Sequence, residues 1–79
     1  MKIIAVYDTV TKKFIDKQVA DLHKSGYLVE TLEIQEASEL YGVKYAPSFG
    51  ILKNNKLGYL LGGKQNFTRV LQWVQDSGI

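Results

Sequence analysis

Tyr41-Gly42-Val43-Lys44-Tyr45-Ala46-Pro47-Ser48 joins the two halves of this chain, and its reading decides how the strands on either side are arranged. Ala37, Leu40 and Tyr41 give a brief helical stripe, and Gly42 offers the left-handed residue that stops it. Pro47, the only proline, stands just before the apolar run Phe49 to Leu52. A second run, Leu57 to Leu61, follows Lys53-Asn54-Asn55-Lys56, and Asn-Asn tolerates the positive φ of a tight two-residue hairpin. The two runs are therefore expected to be antiparallel neighbours. Gly62-Gly63 closes the hairpin, and Asn66 can cap a last helix whose Phe67, Val70, Leu71 and Val74 recur at helical spacing.

Upstream, Lys2 to Tyr7 is an apolar, β-branched run suited to a central strand buried on both faces. From Thr11 the period changes, because Ile15, Val19 and Leu22 form one helical stripe. Lys24-Ser25-Gly26 gives a basic last turn and a capping glycine, after which Tyr27 to Ile34 alternates as a second strand. A strand, a helix and a strand in that order predict a right-handed crossover with the two strands parallel. The element order is β-α-β-α-β-β-α, an α/β fold with a central four-stranded mixed sheet flanked by helices. No repeat, low-complexity segment or linker interrupts it, so residues 1–79 are expected to form a single domain.

Composition excludes several function classes. At 79 residues, with 46% hydrophobic and 23% charged residues, the chain suits one globular core and argues against disorder or coiled coil. A net charge of +2 is too small to point to nucleic acid or an acidic membrane surface. The absence of cysteine removes disulfides, thiolate metal sites and thiol chemistry. No apolar run reaches the roughly 20 residues of a membrane span, and Met1-Lys2 leads directly into a strand pattern, so the expected location is cytoplasmic.

The stretch Tyr41 to Ser48 resembles the segment of the thioredoxin and glutaredoxin superfamily in which Tyr-Gly-Ile or Tyr-Gly-Val precedes, at fixed spacing, a proline held cis beside the active site. Continuing ungapped, Phe49 to Leu52 match the family's third strand, Lys53-Asn54-Asn55 its Lys-Asn-Gly turn, and Gly62-Gly63 its glycine pair. Tyr7 at the close of the first strand and Ser25-Gly26-Tyr27 after the first helix are similar to short glutaredoxin-like electron donors. The resemblance implies a thioredoxin-like fold of glutaredoxin size with a cis Ala46-Pro47 bond. It departs at the active site: the family's C-x-x-C falls on Lys12-Lys13-Phe14-Ile15 in one register and Thr11-Lys12-Lys13-Phe14 in the other. Neither contains the thiol that disulfide exchange requires, so no such enzyme activity is expected.

The function expected is therefore that of a redox-inactive protein-binding module using the groove beside Pro47, with an acidic or extended polypeptide as partner. Lys12 and Lys13 stand at a helix start where the dipole disfavours cations; they either point into water near Asp8 and Asp16 or hold an anion. Phe14 lies off the core stripe, as an edge-of-core residue or an aromatic contact for a partner. By resemblance, Tyr45, Ala46 and Pro47 would hold an extended chain through backbone hydrogen bonds, with Gly62, Gly63 and Lys64 completing the rim. Gly62-Gly63-Lys64-Gln65-Asn66 also resembles the segment that receives glutathione in glutaredoxins, with Gln65 and Asn66 in place of its acidic residue, so noncatalytic glutathione binding is an alternative. A subunit role through an exposed sheet edge is another. Trp73 is expected at the edge of the core. His23 has no metal-spaced partners, Ser48 no hydrolase motif, and Glu30, Glu33, Glu36 and Glu39 cross a strand-to-helix boundary, so no catalytic residue, metal or cofactor is expected.

Overall fold

The computed structural model describes residues 1–78, and its elements run β1 Lys2–Tyr7, α1 Lys12–Lys24, β2 Val29–Glu33, α2 Ile34–Tyr41, β3 Ser48–Lys53, β4 Lys56–Gly62 and α3 Phe67–Asp76. The strands form one sheet in the order β2-β1-β3-β4, with β1 parallel to β2 and antiparallel to β3, and β4 antiparallel to β3. β1 is central, and Ile3, Ile4, Ala5 and Val6 are all buried, as a strand covered on both faces requires.

Period-two alternation sorts these residues between two layers. Ile3 and Ala5 join Ile15, Val19 and Leu22 of α1, Phe49, Ile51 and Leu61 of the sheet, and Val70 and Val74 of α3. Ile4 and Val6 face the other way, toward Leu32, Ala37, Val43 and Leu52 beneath α2. Each fully buried Ile, Leu, Val or Phe contributes about 1.5–3 kcal/mol from removing its surface from water. Gly50 permits close packing on the α2 side: a Cβ there would lie 2.8 Å from Leu57 Cδ1 and 3.0 Å from Ile4 Cγ1.

The turns follow from their residues. Asn54 and Asn55 adopt φ of 53° and 63°, the left-handed pair of a type I′ hairpin. Gly42, at φ 72°, ends α2 with its N–H on Ser38 O. Past α1, the Gly26 N–H bonds His23 O at 3.0 Å and the Tyr27 N–H bonds Leu22 O at 2.9 Å, the paired bonds of a Schellman ending.

Several boundaries differ from the sequence reading. The second strand is Val29–Glu33, shorter than Tyr27 to Ile34. Gly26 and Tyr27 are spent on the helix exit, while the Glu33 carboxylate caps α2 by accepting the Gln35 N–H at 2.9 Å, so that Ile34 already belongs to the helix. Thr11 is the cap of α1 and lies outside it. Leu40 is 59% exposed and does not share a core stripe with buried Ala37. β3 and β4 each extend one residue further at both ends, with Gly58 as the extra residue of a bulge between the pairs Ile51–Tyr59 and Leu52–Leu57.

Candidate functional site

Register places three chain segments at one end of the sheet. Val6 pairs with Ser48, Ser48 with Gly62, and Tyr7 with Glu33, so the carboxyl end of β1 meets the amino end of β3 and the carboxyl end of β4. The start of α1, the Tyr45–Pro47 loop and the Gly62–Lys64 turn all leave from that end.

The turn into α1 is fixed by Asp8 and Thr11. Asp8 Oδ1 accepts the Thr11 N–H at 2.8 Å and the Thr11 hydroxyl at 2.7 Å, and the Asp8 N–H donates to Thr11 Oγ1 at 3.1 Å. These bonds, the Thr11 hydroxyl first, hold the Asp8 carboxyl below its ordinary range. The positive helix end therefore already has a carboxylate of its own. Lys12 pairs with Asp16 one turn on at 2.7 Å and lies 5.3 Å from the centroid of the Tyr7 ring, and its pKa is raised chiefly by the Asp16 hydrogen bond. Lys12 is thus engaged by its own helix and by Tyr7. Lys13 is exposed and, among the described residues, makes no ion pair.

At the same end of the sheet the Ala46–Pro47 bond is cis. Pro47 is buried, Ala46 half-buried and Tyr45 50% exposed. The Tyr45 carbonyl accepts the Ser48 hydroxyl at 3.0 Å, and the Pro47 carbonyl accepts the Gly63 N–H at 2.9 Å. Among the described residues the N–H and C=O of Ala46 have no hydrogen-bond partner. Tyr45 lies across Gly62 so closely that a Cβ at 62 would sit 2.2 Å from its Cε2, which accounts for glycine at this position.

The rim continues through Gly63, whose φ of 84° turns the chain, to Lys64, whose Nζ lies 5.8 Å from the Phe14 ring centroid. Gln65 Nε2 donates to Gly62 O at 3.0 Å, Gln18 Nε2 donates to Gln65 O at 2.9 Å, and Asn66 Oδ1 accepts the Arg69 N–H at 2.9 Å to cap α3. Phe14 is half-buried and shares an open cleft of about 270 Å³ with Lys17, Gln18, Asp21 and Phe67. The structure thus brings Tyr45 to Gly62, Pro47 to Gly63 and Phe14 to Lys64, while Lys12 is turned onto its own helix and Tyr7. Ile15, the end of one cysteine register, is wholly buried in the core. Among the described residues no group of three His, Cys, Asp or Glu side chains could hold a metal.

Sequence reasoning missed three contributors. The Asp8–Thr11 lock was signalled by Asp and Thr three apart just before a helix. Val10, 86% exposed on that turn, and Gln18, buried with an unpartnered Oε1, carry no comparable local signal.

No family model matches this chain, and no curated protein matches it. Among solved structures, a chain from the crystal structure of the ferredoxin:thioredoxin reductase and thioredoxin f2 complex superposes with a TM-score of 0.71 at 23% identity. The alignment covers 96% of this chain and 77% of that one. At this identity the likeness is one of fold, and it agrees with the element order and mixed sheet described above: the architecture is thioredoxin-like α/β.

Proposed function

We propose that this thioredoxin-like chain is a redox-inactive, cytoplasmic protein-binding module, and that its groove between the α1 start and the Tyr45–Pro47 loop takes an extended, acidic polypeptide segment. The observation that carries the reading is the unpaired N–H and C=O of Ala46, half-buried beside Pro47, where an added strand could bond to both. Tyr45 and Val10 offer exposed apolar surface, and Lys13 and Lys64 offer cations for partner carboxylates. With no cysteine, the chain cannot itself supply the thiolate of disulfide exchange.

Glutathione recognition has less support. Gln65 is tied to Gly62 O, Asn66 is committed to the α3 cap, and neither brings a carboxylate for the ligand's amino group.

The test is a titration of ¹⁵N-labelled protein with extended peptides that are acidic, neutral or basic but otherwise matched. Acidic peptides should shift the amides of Tyr45, Ala46 and Gly63, with affinity falling as salt rises. No response at these amides refutes the groove, and shifts confined to β2 or β4 favour assembly through a sheet edge. In an insulin-reduction assay with dithiothreitol the protein should leave the rate at its protein-free value; acceleration would overturn the redox-inactive assignment.

A further inference from the structure

A second cleft lies away from the groove, where the carboxyl end of α3 crosses the outer strand. Tyr59, Trp73, Asp76 and Ser77 line an open hollow of about 160 Å³. An engineered cavity of about 150 Å³ takes one benzene, so this hollow suits a single side-chain head group. Trp73 is half-buried and packs against the core. Tyr59 pairs with Ile51 across the sheet and so faces the same layer.

The rings and the carboxylate favour a cation, against the charge of the neighbouring Lys53. The aromatic rings present negative π-faces. Asp76 adds a carboxylate, steadied by the Gln72 Nε2 donor 2.8 Å from its Oδ1. The hollow sits at the carbonyl end of α3, whose last turn contains no basic residue. Lys53 Nζ already lies 4.8 Å from the Tyr59 ring centroid, showing that this ring accepts a cation.

The mixture of aromatic faces and one carboxylate distinguishes among cations. An ammonium is compact and strongly hydrated, and a quaternary ammonium has no N–H for the carboxylate. A guanidinium is planar, weakly hydrated, stacks on aromatic rings and bonds a carboxylate through its fork. We infer that the Tyr59–Trp73–Asp76 cleft binds a guanidinium, and that its occupant is an arginine side chain of a partner protein. This cleft shares no residue with the proposed groove.

Trp73 is the only tryptophan, so its fluorescence reports this cleft directly. At constant ionic strength, N-acetyl-arginine amide should change that fluorescence saturably and shift the Trp73 indole N–H resonance. N-acetyl-lysine amide and tetramethylammonium should bind several-fold more weakly. Asp76→Asn, at an exposed position, should weaken the arginine probe by roughly threefold to tenfold. Lys53→Met should strengthen it by removing a competing, repelling charge. The inference is overturned by an unsaturable response, by equal binding of tetramethylammonium, or by an unchanged affinity in Asp76→Asn. It is also overturned if binding appears only in Lys53→Met, which would make the cleft the seat of the chain's own lysine.

Discussion

Gly62→Ala tests the close approach of Tyr45 to Gly62 beside the proposed groove. The new Cβ would lie 2.2 Å from Tyr45 Cε2, against 3.4 Å for the start of ordinary contact, so the ring must retreat by roughly 1 Å. Tyr45 is 50% exposed and can yield toward water. A fully buried aromatic side chain covers ~150–250 Å², so about 100 Å² is at stake here. At ~25 cal/mol/Å² complete departure of the ring would cost about 2.5 kcal/mol. A partial shift costs less, and replacing glycine returns about 0.4–1 kcal/mol through the unfolded chain. The expected net loss is about 1 kcal/mol. In a Tyr45→Ala background the obstacle is gone, and Gly62→Ala should be neutral or stabilising by up to about 1 kcal/mol. Urea denaturation of the four proteins, followed by far-UV circular dichroism, closes the double-mutant cycle, with an expected coupling of about 1–2 kcal/mol. If Gly62→Ala costs the same with and without the Tyr45 ring, the two do not touch in solution and the packing of Tyr45 across Gly62 is wrong.

Gly50→Ala offers a contrast, because its Cβ meets Leu57 and the fully buried Ile4; overpacking there should cost about 1–3 kcal/mol, and a loss under half a kcal/mol by the same urea assay would contradict the close packing under α2. The depressed pKa of Asp8 means its bonds to Thr11 contribute stability in full above the ordinary aspartate range, a contribution that disappears as pH falls through the lowered value. Denaturation midpoints measured across that acidic window should therefore fall less steeply in Asp8→Asn than in wild type, and parallel profiles would refute the lock. Lys13→Glu should leave the thermal midpoint unchanged or slightly raised by the helix dipole while weakening acidic peptides, whereas Lys12→Glu should lower it by setting a second carboxylate one helical turn from that of Asp16; equal effects on stability would show that the Lys12–Asp16 pair does not form.

The fold was legible where one residue type has few options. Asn54-Asn55 and Gly42 announce left-handed backbone, and four consecutive buried residues in β1 read as a central strand. Boundaries were less legible at Tyr27 to Ile34, because apolar and polar residues alternate equally well through a helix exit, a strand and a cap. Only the hydrogen bonds of Tyr27 and Glu33 divide them. At the candidate site, Asp16 four residues after Lys12 gave the ion pair a local signature. The Tyr45–Gly62 and Gln18–Gln65 contacts join residues far apart in sequence, so periodicity and spacing carry no trace of them.

The sheet divides at a single seam, with β2 and β1 on one side and β3 and β4 on the other. A cut in the Gly42–Lys44 connection would give two fragments, one ending its sheet at β1 and the other at β3, each with an unpaired strand edge until they meet. The walls of the proposed groove divide along the same line: Asp8 to Phe14 would travel with one fragment, Tyr45 to Lys64 with the other. A ligand resting on both walls would brace the reunited halves, by about 2.7 kcal/mol at a concentration one hundred times its dissociation constant. Reassembly of the split chain would then serve as a reporter for whatever the groove binds, with the two halves acting as sensor arms.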